Sequence, residues 1–178
     1  MAVSKKIISF LEKNKVKYEI LKHRTVYTAF DKAKTLKIPE KMVGKTLVLK
    51  TDGKLAMVLI PANKNLDLQK FKKLAKALPA ACLPDRPGRQ VKKIDFASER
   101  LIKNKFKGVK VGAIPPFGLQ PARHPTKKIL TFIDKSLLKN PKIIVNGGNY
   151  NFSIKISSNQ LKKILPDAIF GNFSEKKK

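Results

Sequence analysis

Two rhythms of apolar and polar positions run along the chain. Ile7, Ile8 and Leu11 recur at helical spacing behind Ser4, which can cap a helix, and Asn14 stands where that helix would stop. Val16 to Ile20 then alternates with period two, as a strand does. Thr28 to Leu36 returns to the helical rhythm, with Thr28 as cap, Asp31 at the reciprocal capping position and Pro39 beyond its end. Val43 to Leu49 and Leu55 to Ile60 are rich in β-formers and flank Asp52-Gly53, a tight-turn signal, so they predict a hairpin.

The second half repeats this mixture. Asn65-Leu66-Asp67-Leu68 leads into a helix through Ala77, with Leu68, Phe71, Leu74 and Ala75 on one face and lysines on the other. Pro84 to Gly88 reads as a loop, Ala97 to Asn104 as a helix, Val109 to Ile114 as extended and Ile129 to Asp134 as a buried strand. Lys142 to Asn146 and Asn151 to Ile156 flank Gly147-Gly148 as a second hairpin. Ser158 is placed to cap a closing helix through Leu165, and the basic tail 175–178 is expected to be disordered. Hairpins mixed with separate helices, without regular alternation or internal repeats, indicate an α+β domain around a mixed, barrel-like β-sheet surrounded by helices.

Composition narrows the partners. The 178 residues, 42% hydrophobic, suffice for one sizeable core and suggest a single domain over 1–178. Forty Lys and Arg face only 12 Asp and Glu, a formal net charge of +28. A lysine-rich proteome normally raises Glu as well, so the imbalance points to a polyanionic partner, nucleic acid before an anionic membrane or an acidic protein. Phosphate contacts supply affinity without saying what is read, so charge does not separate one nucleic acid from another. No apolar run has secretory or membrane-spanning length, and a cytoplasmic protein without membrane attachment is expected.

Common chemistries find little support. The single cysteine, Cys82, excludes an internal disulfide and a cysteine-rich zinc site, and it reads better as a small packed side chain than as a nucleophile. The two histidines, His23 and His124, fit neither a metal-ligand pattern nor a nucleophilic triad. Phosphate-loop and dinucleotide fingerprints are missing, and a site without metal or cofactor is expected.

Two features stand out. Gly108 to Gly118 is punctuated by glycines and by Pro115-Pro116, which suits a loop presenting backbone N–H groups, although turns of this composition are common in any fold. Lys45 interrupts an apolar strand. Period-two alternation puts it on one face with Val43, Leu47 and Leu49, where a lysine needs a partner or a function.

Four features in order, Lys45-Thr46-Leu47, Val58-Leu59-Ile60-Pro61 with Leu66-Asp67-Leu68, the spacing of Gly112, Pro116 and Gly118, and Ile133-Asp134 before Gly147-Gly148, resemble the YbaK/ProX-type aminoacyl-tRNA deacylases. That family is related to the editing domain inserted in bacterial prolyl-tRNA synthetases, and the resemblance runs from about His23 to Leu165. It implies an ester hydrolase acting in trans on mischarged tRNA, with a synthetase as an additional partner. Lys45 would lie beside the terminal adenosine and the ester, and Gly112 and Pro116 would line the carbonyl pocket. Thr46, Ile114, Gly118, Gly147, Gly148 and His23 would complete substrate binding. By the same resemblance, backbone N–H groups near Gly112 would stabilise an oxyanion while a ribose hydroxyl helps position water, and Gly112→Ala would crowd the pocket. The chain departs from the cysteine-selective members, which use a tyrosine and an aspartate where Leu21 and Ser153 stand, so the amino acid removed is open. A basic RNA-binding module without activity and an adaptor for an acidic protein are the alternatives.

Overall fold

A computed structural model describes residues 5–52, 54–78, 93–117 and 129–177. Gly118, Cys82, His124, Ser4 and the Pro84 to Gly88 stretch lie outside the described residues.

The chain runs α1 (Lys5–Lys13), β1 (Tyr18–Lys22), α2 (Ala29–Thr35), a 3-10 turn at Glu40–Met42, then the β2 (Gly44–Thr51) and β3 (Lys54–Pro61) hairpin. There follow β4 (Lys64–Leu66), α3 (Leu68–Lys76), β5 (Ile94–Phe96), α4 (Glu99–Lys105), β6 (Leu130–Asp134) and α5 (Lys135–Leu138). The hairpin of β7 (Lys142–Asn146) and β8 (Phe152–Ser157), α6 (Ser158–Ile164), β9 (Ile169–Gly171) and β10 (Ser174–Lys176) complete it.

Local chemistry sets most boundaries. Thr28 caps α2 as expected, accepting from the Asp31 amide at 3.0 Å, but the Asp31 carboxylate takes the Thr28 hydroxyl at 2.6 Å, a variant of the reciprocal box. Asp67 caps α3 by accepting from the Lys70 amide. α6 starts one residue earlier than Ser158 suggested. Ser157 is its cap, and the Ser158 hydroxyl instead donates to the Asn140 carbonyl.

The class is mixed α+β, and the ladders among the described residues form three sheets. The largest is mixed, in the order β5-β2-β3-β6-β9, with β3 and β6 parallel. β1-β8-β7 is antiparallel, and β4 pairs with β10. The last pairing takes in the start of the tail expected to be disordered: Glu175 and Lys176 sit opposite Asn65 and Lys64, their backbones satisfied by the ladder.

β3 is apolar on both sides because both are covered. Leu59 joins Ile133, Val145 and Ile154 in a core closed by Ile7 and Leu11 of α1 and Leu161 of α6. Val58 and Ile60 point the other way, to Phe71 of α3, which meets Phe132 and Phe173 edge-on at centroid distances of 4.8 and 5.6 Å. Asp134, fully buried, accepts from the amides of Ser136 and Phe173, both at 2.9 Å. Burial alone pushes its pKa up, but the Ser136 hydroxyl, which also donates to it, together with these amides outweighs burial and holds the carboxyl below the ordinary range. Its place is structural, joining the start of α5 to the turn between β9 and β10.

Candidate functional site

Val43, just before β2, makes a parallel bridge to Ile144 of β7, beyond which the two strands belong to different sheets. β2 continues to pair with β5, whereas β7 turns back at Gly147-Gly148. The chain from Lys110 to Phe117 spans the divergence. Ile114 packs with Val48 of β2, while the Asn146 amide at the end of β7 donates to the carbonyls of Gly112 and Ile114 at 3.2 and 3.3 Å.

This segment is not the extended run its sequence predicts. Gly108 and Gly112 both have positive φ, +85° and +81°, and each closes a turn: Val109 N–H donates to Phe106 O, and Ala113 N–H to Lys110 O. A strand does not accommodate two such residues four apart. The turns are docked on the second hairpin, since Lys110 N–H donates to Gly148 O and Gly148 N–H to Ala113 O, both at 3.0 Å.

These bonds fix where the loop's own donors face. The Val111 carbonyl accepts from the Tyr150 hydroxyl at 2.7 Å, and the Ala113 carbonyl from Gly148. No cis peptide occurs among the described residues. In a trans, planar peptide the C=O of one residue and the N–H of the next point oppositely. The N–H groups of Gly112 and Ile114 therefore face away from the hairpin that holds the loop. Gly112 is exposed, and a Cβ added there meets nothing within 4 Å among the described residues. Within the protein, the cost of Gly112→Ala is backbone strain at φ +81°.

Behind the loop sits a lysine that sequence reasoning missed. Lys32 of α2 is 5% exposed, and its ammonium donates to Asn146 Oδ1. Burial pushes its pKa from the ordinary 10.5 down to about 8. A signal existed: Ala29, Lys32, Ala33 and Leu36 follow the i, i+3, i+4, i+7 stripe of a helix's inner face, which puts Lys32 inside. Asn146 and Tyr150 were missed because neither belongs to a recognisable motif.

His23 and Ser153 come together. Their Nε2 and Oγ atoms lie 2.9 Å apart, and His23 Nδ1 is 2.8 Å from the Arg24 carbonyl. A carbonyl only accepts, so Nδ1 carries the hydrogen, and in the neutral ring Nε2 accepts from the Ser153 hydroxyl. Burial lowers the His23 pKa, the Arg24 bond opposes this, and Lys32 lowers it further. Ser153 is fully buried, pairs with Leu21 across β1 and β8, and with Asn146 across β7 and β8.

Lys45 and Thr46 separate. Alternation gives Lys45 the face of Val43, toward Ala33 of α2, the same side as Ile144 and Asn146. Its surroundings are charged: burial lowers its pKa, Lys177 adds to this and Glu40 opposes. Thr46 points to the opposite face, between Gly44 and Val48, and its hydroxyl is buried with no hydrogen-bond partner among the described residues. The two therefore do not line one side of the strand. Gly147, Gly148 and Pro116 are buried in the support of the loop. Among the described residues no three His, Cys, Asp or Glu converge as metal ligands, and no helix is long and apolar enough to cross a membrane.

Comparison with known structures gives the same fold. A hypothetical protein, APE2540, superposes with a TM-score of 0.76 at 22% identity, over 96% of this chain and 100% of that one. A candidate trans-editing enzyme for prolyl tRNA synthetase gives 0.73 at 18% identity, over 98% of each chain. No curated protein matches. The model of one protein family, the aminoacyl-tRNA editing domain, matches residues 23–164. That span contains α2, both hairpins and the whole loop between them, and the chain accordingly belongs to the aminoacyl-tRNA editing domain family.

Proposed function

We propose that the protein is a trans-acting deacylase that hydrolyses the ester between an amino acid and the 3′ end of a mischarged tRNA. The observation that carries this reading is the pair of N–H groups at Gly112 and Ile114 facing away from the second hairpin, in a segment held by Tyr150, Gly148 and Asn146. Family membership and the net charge of +28 support it.

In this mechanism water attacks the ester carbonyl, and the developing oxyanion is received by the Gly112 and Ile114 N–H groups. Collapse breaks the acyl C–O bond, releasing the amino acid and returning a hydroxyl to the terminal ribose. Lys45 holds the terminal nucleotide, while His23, Leu21 and Ser153 border the amino acid. A ribose hydroxyl positions the water, so no protein nucleophile and no metal are required. Pro116 shapes the loop, Gly118 would take the substrate-binding place the resemblance implies, and Thr46 supports β2 from its other face. With Leu21 and Ser153 in place of tyrosine and aspartate, cysteine is disfavoured as the amino acid removed. The protein would act in the cytoplasm, free of membranes, with a synthetase as its source of mischarged tRNA.

A panel of alanyl-, cysteinyl-, seryl- and threonyl-tRNAs tests activity and site together. Wild type is expected to hydrolyse at least one, and a folded Lys45→Ala variant to lose on the order of 100-fold in rate, the scale of one stabilising contact in a transition state. Full activity in Lys45→Ala overturns the assignment of Lys45. Tight binding with no turnover of any member favours the RNA-binding module instead.

A further inference from the structure

We infer that Lys32 is a positioning residue that acts through Asn146 to hold the 112–114 segment in its working shape, an inference that rests on the proposed deacylase reading. The connection is direct. The Lys32 ammonium donates to Asn146 Oδ1, which fixes which end of that amide faces the loop, and Asn146 Nδ2 then donates to the carbonyls of both Gly112 and Ile114. Were the amide reversed, its oxygen would face two carbonyl oxygens and both bonds would be lost. Lys32 thus decides the orientation of a side chain that is itself 5% exposed.

A buried ammonium is a costly way to orient an amide, and helix packing alone does not call for it: Ala29 and Ala33 show that this face of α2 accepts small apolar side chains. The charged groups around Lys32 do not neutralise it. On α2, Asp31 is engaged with Thr28, and from the end of β1 comes His23, itself tied to Arg24 and Ser153. β2 brings Lys45, β8 brings Lys155, paired with Glu19 at 2.8 Å, and the segment 111–117 carries no ionisable side chain. Burial, which pushes the Lys32 pKa to about 8, agrees with a site where the cation's one hydrogen-bond partner is Asn146 among the described residues.

Three variants separate positioning from mere stability. Lys32→Met keeps an unbranched chain in the cavity and removes the donor. Asn146→Asp keeps the shape and gives Lys32 an ion pair, but presents a carboxylate to the two carbonyls. Lys32→Arg keeps a donor. Amide hydrogen exchange of the 110–117 segment, measured without tRNA and alongside the melting temperature, reads the loop independently of catalysis.

The expected result is faster exchange in that segment for Lys32→Met and Asn146→Asp, with β6 and β8 protected as in wild type, and slow exchange restored in Lys32→Arg. On a hydrolysed tRNA, kcat should fall on the order of 10- to 100-fold in the first two with KM little changed, as for a misplaced catalytic wall. Unchanged loop exchange in both Lys32→Met and Asn146→Asp overturns the inference, as does faster exchange with undiminished kcat. If wild type hydrolyses none of the tRNAs, the deacylase reading fails, while the exchange measurement still decides whether Lys32 holds the loop.

Discussion

The Tyr150 hydroxyl donates to the Val111 carbonyl over 2.7 Å, and through that single bond a side chain after the second hairpin's glycines sets the direction of the Gly112 N–H. Tyr150 also meets the exposed Tyr27 ring edge-on at 4.8 Å. Tyr150→Phe keeps the ring contact and removes the bond. It should cost about 1 kcal/mol of stability, the net worth of one hydrogen bond, and lower kcat more than it raises KM. Denaturant melts and steady-state deacylation check the two effects separately.

Two glycines of similar torsion should respond differently to alanine. At Gly148, φ is +89° and the new Cβ would lie 2.9 Å from Ile7 Cδ1 and 3.1 Å from Val109 Cγ1, so strain and crowding combine. At Gly112, φ is +81° and the space is open among the described residues. Gly112→Ala should cost about 1–2 kcal/mol from the backbone alone, and Gly148→Ala should cost more and loosen α1. Urea midpoints of the two variants decide the order.

Lys32 also predicts a pH dependence of stability. An unfolded lysine titrates near its ordinary 10.5 and the folded one at about 8. Between those values the unfolded chain holds the extra proton, so this group makes the fold more stable as pH rises through that window, and burdens it fully below 8. The span corresponds to roughly 3 kcal/mol. Lys32→Met should be more stable relative to wild type at pH 7 than at pH 10, as read by denaturant midpoints at both.

Binding of uncharged tRNA should weaken steeply with salt. With 40 Lys and Arg against 12 acidic residues, several phosphates are neutralised at once, and the logarithm of affinity should fall linearly with that of salt concentration. A filter-binding series at constant pH measures the slope. A flat series would mean that the lysines do not meet the phosphates.

Elements governed by neighbours in sequence were legible. Thr28 with Asp31, Asp67 before Leu68, and the two hairpins all rest on interactions spanning a few residues. The Val109 to Ile114 stretch looked extended because Val109, Val111 and Ile114 are β-formers, but Gly108 and Gly112 at positive φ bend it into two turns. The pairing of β10 was not legible because 175–178 is a polar, basic tail and the partner strand β4 lies about a hundred residues away. At the candidate site, the motif residues pointed to the loop now proposed, yet not to Asn146 and Tyr150, which hold it by side-chain bonds to backbone carbonyls, nor to Lys32 behind Asn146, and such bonds leave no local signature.

On the proposed reading, residues 111–114 give carbonyls to their support and amides to the site, so the reactive groups of this wall would be encoded in torsion angles. The side chains from Ala113 to Phe117 are buried, so changes there act through packing and not on the donors themselves. Substitutions at Ala113 and Ile114, both buried, would remodel the volume behind the donors without removing them. If the proposed reaction holds, selectivity can be retuned through that packing while the donors are inherited unchanged.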